Sequence, residues 1–230
     1  MGSIISFLET LPFKLITFIK GEGWQCGFFY RSNVSGLTGN SFVNTGCFVH
    51  SKLSVNGTGN KIIQKGYLQY TTIEMFGNDN IVQIEDGCTI NGGLIFVRAN
   101  NAKLLIGRNT SIMSGIQMIC QGNGNYISIG CDCLFSENID IWNSDTHTIT
   151  DTTGNIINPS KPVVVDNHVW LGKNVSVLKG VHIGKNTVVG MSSIVSKSLP
   201  ENSICVGNPA QSIKSGISWS KEMHQETIFL

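Results

Sequence analysis

The chain has 230 residues, enough for one large domain or two small ones, and only 13% of them are charged, about half the usual share. Sixteen basic against fifteen acidic side chains leave a formal charge of +1. That balance removes any global electrostatic case for nucleic acid or an anionic membrane as partner and confines an anion site to local groups.

Residues 1–40 read as an apolar capping segment. The run from Ile4 to Ile19 is interrupted by Glu9, Pro12 and Lys14 and is too short and too broken to span a bilayer. It is expected to pack as a short helical segment, with peripheral membrane association as the other reading. The cysteines, Cys26, Cys47, Cys88, Cys120, Cys131, Cys133 and Cys205, are odd in number, lack paired spacings and sit in a chain without a cleavable secretory signal pattern. They point to a reducing cytoplasm. With one residue between them, Cys131 and Cys133 are too close for a CxxC redox or zinc pair and read as structural.

From residue 41 onward, aliphatic residues recur every six positions. Val43, Val49 and Val55 suggest a first coil; Ile84, Ile90 and Phe96 a later one; then Ile106, Ile112 and Met118, and Ile129, Phe135 and Ile141. Ile62 and Leu68 keep the spacing but lack a third member. The last stretch is the clearest, with Val165, Leu171, Val177, Ile183, Val189 and Val195 in unbroken sequence, three of them followed by Gly172, Gly184 and Gly190. A six-residue period fits neither a helix nor a long alternating strand, so each hexad is a short strand plus a turn, and three hexads make one triangular coil. The aliphatic residue then points inward, and the fourth residue after it must also fit inside; Cys47, Cys88, Thr110, Cys133, Val169, Val175, Thr187 and Ser193 occupy that place. The fold class is all-β, a parallel β-helix of hexapeptide repeats over residues 41–214, followed by a tail over residues 215–230.

Coils starting at Ile84, Ile106 and Ile129 carry insertions of four or five residues, assigned to Arg98–Lys103 and Gln121–Asn125. Between Ile129 and Val165 the excess is a full eighteen residues, a polar loop over about 142–164 that contains WNSDTHTITDTTGN. Long polar loops on a rigid scaffold are where chemistry is expected.

The segment DNHVWLGKNVSVLKGVHIGKNTVVGMSSIVSKSLPENSICVGNPAQSIK resembles the C-terminal half of the hexapeptide-repeat O-acetyltransferases, a family that includes maltose, galactoside and bacterial surface-polysaccharide enzymes. The pattern covers roughly residues 80–214. The resemblance implies a left-handed β-helix, a homotrimer with active sites between subunits, acetyl-CoA as co-substrate and no metal. Within it, His147 matches the catalytic histidine, the general base that takes the acceptor hydroxyl proton during direct attack on the thioester. A sugar hydroxyl needs such a base near neutral pH, and an imidazole is suited to the role. Asp145, two residues earlier, is expected to hold the imidazole tautomer. SDTH differs from the His-Pro loop of the maltose and galactoside enzymes and is more like the capsule and O-antigen branch, so the acceptor is expected to be a bacterial cell-surface saccharide modified in the cytoplasm.

For the acceptor, Trp142, Asn143 and Trp170 are the expected contacts, the two indoles offering flat faces to a sugar ring. For the donor, the family pattern falls on Lys173, Met191, Ser196, Lys197 and Lys214, with Lys197 and Lys214 as point charges for CoA phosphates. Met191 departs from the small residue usual at that turn and is expected to narrow the pantetheine path. His168 and His182 are expected to be ordinary structural residues, with a place in the cleft near Trp170 as the other reading for His168, and His182 facing outward by register. N-acetylation of a nucleotide-linked amino sugar is the alternative within the enzyme class. A zinc-dependent carbonic anhydrase would need three histidines at spacings that His50, His147, His168, His182 and His224 do not offer. A non-catalytic solenoid would have no reason to eject an eighteen-residue polar loop.

Overall fold

The structure is a computed structural model and describes residues 14–18 and 25–222, with side chains from Gly27 onward. The rest of the apolar run, the end of the tail and His224 lie outside the described residues. Every regular element among them is a strand. The short helical segments expected at the termini are therefore absent from the described residues. The stretch Lys14–Phe18, inside the apolar run, is a strand paired antiparallel with Gln25–Tyr30.

The solenoid begins earlier than residue 41. Gln25–Tyr30 already pairs in parallel with Cys47–Val49, and Asn33–Ser35 with Lys52–Asn56, so residues 25–40 of the supposed cap form the first coil. The prism has three faces. A seven-stranded parallel sheet running from Ser41–Asn44 to His182–Ile183 forms the first. The other two are joined in one seventeen-stranded sheet because Tyr67–Phe76 and Thr89–Arg98, ten residues each, continue around the corner between them.

Stacked register explains the interior. On the first face one inward column reads Asn44, Gln64, Ile84, Ile106, Ile129, Val165 and Ile183. On the second it reads Ile90, Ile112, Phe135, Leu171 and Val189, and on the third Ile95, Met118, Ile141, Val177 and Val195. Nearly all of these are sealed from solvent, and each large aliphatic member contributes up to about 1.5–3 kcal/mol by leaving water. Cys88, Thr110, Cys133, Val169, Val175, Thr187 and Ser193 are buried as the spacing rule requires, whereas Cys47 is half-buried. The six cysteines whose side chains are described are free.

Two register assignments are corrected. Val43 points outward and its neighbours Phe42 and Asn44 point in; Phe96 points outward between the buried Ile95 and Val97. In the early coils the step from the second face to the third is five residues, as from Leu68 to Ile73 and Ile90 to Ile95, not six. Polar residues also hold the inward aliphatic column there. A second polar column, Asn40, Asn60 and Asn80, bonds rung to rung: Asn60 Nδ2 donates to Asn40 Oδ1 at 3.0 Å and Asn80 Nδ2 to Asn60 Oδ1 at 3.0 Å. Satisfied in this way, buried amides are tolerated where an unpaired one would cost about 1–3 kcal/mol.

The corners need backbone freedom. Asn109, Asp132, His168, Asn174, Asn186 and Ser192 turn with φ between 57 and 63°, a region that Asn and Asp tolerate best among residues with side chains. The hexad glycines serve a different need: a Cβ on Gly172 would stand 2.7 Å from the Met191 nitrogen of the next coil, so glycine there permits close stacking.

Candidate active site

All the insertions fall at one corner, where the third face returns to the first. The chain leaves Thr89–Arg98, Ile116–Gln121 and Asp140–Trp142 there before re-entering at Lys103–Ile106, Tyr126–Ile129 and Val163–Val165. The long loop thus stands beside two shorter bulges.

Its shape is held by its own polar groups. Thr150 and Ile156 form an antiparallel bridge, and the Ile157 N–H donates to the Ile149 carbonyl at 2.9 Å. At the tip the Asp151 carboxylate accepts from Thr153 and Asn155, which holds its pKa well below the usual carboxylate range. Asn158 clamps the base, its Nδ2 donating to Asp145 Oδ2 and to the His147 carbonyl, both at 2.8 Å. Lys179, from the next coil, pairs with Asp145 and donates to the Asn158 carbonyl at 3.1 Å.

His147 is exposed, and its backbone N–H donates to the Asp145 carbonyl at 2.7 Å. The residue before it, Thr146, has φ of 67°, a strained conformation for a β-branched residue that is commonest at functional sites. The His147 side chain lines a cavity of about 430 Å³ together with Arg98, Gln121, Asn123, Ser144 and Ser160. Of the residues around this cavity, His147 alone carries a side chain that can act as a general base. Arg98 is spread over two rings, 5.1 Å from the Phe96 centroid and 5.5 Å from that of Phe76, so its guanidinium is oriented by stacking.

Three expected contacts take other roles. The hydrogen bonds of the Asp145 carboxylate go to Asn158 and Lys179, making it an anchor of the loop rather than the holder of an imidazole tautomer. Asn143 is fully buried; its Oδ1 accepts from the Gln121 N–H at 2.7 Å and its Nδ2 donates to the Gln121 carbonyl at 3.0 Å, so it ties two coils together and presents nothing to an acceptor. Trp170 is 38% exposed but stands on the second face, 5.8 Å from Trp219 of the tail, away from the corner that carries His147. Trp219 also stacks on His168 at 4.1 Å and 5°, with its indole N–H donating to the His168 carbonyl.

The expected donor contacts are divided likewise. Lys173 and the 66%-exposed Met191 occupy successive levels of the corner after the second face, and Lys173 is paired with Glu137 at 2.6 Å. Ser196 and Lys197 follow the third face, and Lys214 is exposed on Ala210–Ser215, antiparallel to Ser203–Gly207. One chain does not gather these five around His147. Sequence reasoning missed Arg98, Asn158, Lys179 and Asp140; the only signal for the first was its place at the edge of an insertion.

Trp142 keeps its place at the loop base. It lines a second cavity of about 250 Å³ with Asp140, Ser144, Ser176, Leu178 and Lys179, and Ser144 is shared with the cavity of His147.

The Asp145 carboxyl is held below its ordinary pKa, first by the hydrogen bond from Lys179 and then by that from Asn158. A lowered folded pKa means that the anchoring is complete above the unfolded value near 3.9 and is lost as pH falls through the lowered one. Asp145→Asn should therefore speed protease cleavage within residues 146–161 several-fold at neutral pH. Global stability should change by less than about 1 kcal/mol, because the pair is partly exposed. An unchanged cleavage rate would show that the loop does not depend on this contact.

No family model matches the chain. It is 34% identical over 205 residues to the polysialic acid O-acetyltransferase of Neisseria meningitidis, a match covering 80% of this chain and 95% of that protein. The polysialic acid O-acetyltransferase of Escherichia coli O1:K1 / APEC is 34% identical over 148 residues, covering 64% of this chain and 47% of that protein, so the chain spans about half the length of this second relative. The crystal structure of the polysialic-acid-specific acetyltransferase NeuO superposes with a TM-score of 0.69 at 28% identity, covering 88% of this chain and 90% of that one.

Proposed function

Because the chain belongs to the hexapeptide-repeat O-acetyltransferases of bacterial capsules and O-antigens, left-handed parallel β-helices, we propose that it transfers an acetyl group from acetyl-CoA to a hydroxyl of a cell-surface saccharide, with His147 as general base. The observation that carries this reading is the exposed imidazole at a 430 Å³ cavity, on a loop fixed by Asp145, Asn158 and Lys179.

The chemistry follows from that placement. A hydroxyl oxygen attacks the thioester carbonyl as His147 takes its proton; the new C–O bond replaces the C–S bond, and the proton passes to the departing thiolate. No enzyme acyl intermediate is required. Positioning and general-base help are the contributions asked of the protein.

A homotrimer is part of the proposal. Lys173, Met191 and Trp170 stand at the second face and its following corner, Ser196 and Lys197 at the corner of His147 but two coils further along, and a second copy packed against the loop corner would complete one cleft from two chains. The enzyme is placed in the cytoplasm, a reading supported by free, mostly buried thiols.

Lys214→Ala should weaken CoA about fivefold, the scale of one exposed charge contact, with turnover at saturating CoA unchanged. CoA titration monitored by calorimetry checks this, and unaltered affinity would remove Lys214 from the phosphate site. Thiol release from acetyl-CoA, measured against a panel of sialylated and neutral glycans and amino sugars, tests the function itself. Release that depends on a glycan hydroxyl supports it, and release only with amines would replace it with N-acylation.

A further inference from the structure

On the outer surface of the third face, Trp142 follows Ile119 in register, and Asp140 pairs with Ser176 of the next strand. Ile119 points outward by register yet is only 7% exposed. Beside this apolar patch the Trp142 indole N–H is buried and has no acceptor. A buried donor left unpaired costs about 1–3 kcal/mol, and such groups in native proteins call for an explanation. Trp142 shares the 250 Å³ cavity with Asp140, Ser144, Ser176, Leu178 and the Lys179–Asp145 pair, while the Val177 side chain points into the prism.

The chemistry of the wall narrows the occupant. Lys179 is already matched by Asp145, so Asp140 is left as the uncompensated charge and a carboxylate or phosphate would be repelled. Burial pushes the Asp140 carboxyl above its usual pKa, as expected for a group with no cation beside it. A neutral substituent that accepts one hydrogen bond, donates one and carries a small apolar end would satisfy the whole surface. An acylamino group has those three features: a carbonyl oxygen, an N–H and a methyl.

We propose that this cavity is the subsite for an acylamino substituent of the acceptor sugar, with the Trp142 indole N–H donating to its carbonyl oxygen, Asp140 accepting from its N–H and Leu178 covering its methyl. This rests on the acetyl-transfer reading, and through the shared Ser144 it sets the sugar beside His147.

The test is a binding experiment that needs no acyl donor. Protein labelled with ¹⁵N in its indoles is titrated with N-acetylglucosamine and N-acetylneuraminic acid oligosaccharides, each compared with its de-N-acetylated form, and Trp142→Phe identifies the signal. The Trp142 indole proton should move downfield with N-acetylated glycans only. Trp142→Phe, which keeps an aromatic face, should bind those glycans about tenfold more weakly, the loss of one buried hydrogen bond, and bind the de-N-acetylated forms unchanged. An indole signal that stays still, equal weakening for both forms, or no binding of either would overturn the subsite. So would loss of the assembled oligomer in Trp142→Phe, because a second copy would then supply the missing acceptor. The transfer reading fails separately, if bound glycans show no His147-dependent thiol release.

Discussion

His147→Ala should lower kcat by about 10²–10⁴, the usual worth of a general base, and leave CoA affinity and oligomeric mass unchanged. The size of the loss follows from what else surrounds the reacting hydroxyl. Around the cavity of His147 stand an arginine, which cannot take a proton, and amide and hydroxyl side chains of negligible basicity. The carboxylate two residues before His147, Asp145, is held in its ionised form by Lys179 and Asn158, and a carboxylate of lowered pKa is a poor base. No group is therefore placed to substitute. Thiol release under saturating acetyl-CoA and glycan measures the effect. A variant with wild-type turnover would move the base to another residue, and one with equally weakened CoA binding would mean that the loop holds the donor instead.

The legibility of the fold changes along the chain for physical reasons. From Ile106 onward the inward column is aliphatic and the spacing between coils differs only by insertions at one corner, so periodicity alone places the strands; in the coil of Ile84 the step from Ile90 to Ile95 is still five residues. Before it, Asn44 and Gln64 occupy that column, and their steps to Phe48 and Leu68 are four residues where later coils use six. A search for aliphatic hexads slips there to Val43, one residue out of register, and a slip of one turns every side chain to the opposite face. The loop of His147 was visible as excess length. Its supports were not, because Lys179 reaches Asp145 across 34 residues of sequence and Arg98 arrives from two coils away. Asn143 is different: Ile141 points in and Trp142 out, so strand alternation already predicts an inward Asn143.

Phe135→Ala is the substitution expected to damage the fold most. Phe135 is fully buried and stands in register between Ile112 of the coil before and Leu171 of the coil after. Removing its ring takes away the burial energy and leaves a cavity that rigid neighbouring strands close only in part, a combined cost of about 3–5 kcal/mol. In a solenoid each coil is stabilised chiefly by its neighbours, so a void at this level weakens the contact between the N-terminal and C-terminal halves rather than one local element. Urea unfolding followed by circular dichroism should show a lower midpoint and a broadened or two-step transition, and a shift worth less than about 1 kcal/mol would mean that the prism interior repacks freely. The loop of His147 leaves from Asp140–Trp142, in the same coil as Phe135. Under conditions where the variant stays folded, turnover should therefore fall more than CoA affinity, because the donor lysines Lys197 and Lys214 sit at least two coils further along the axis.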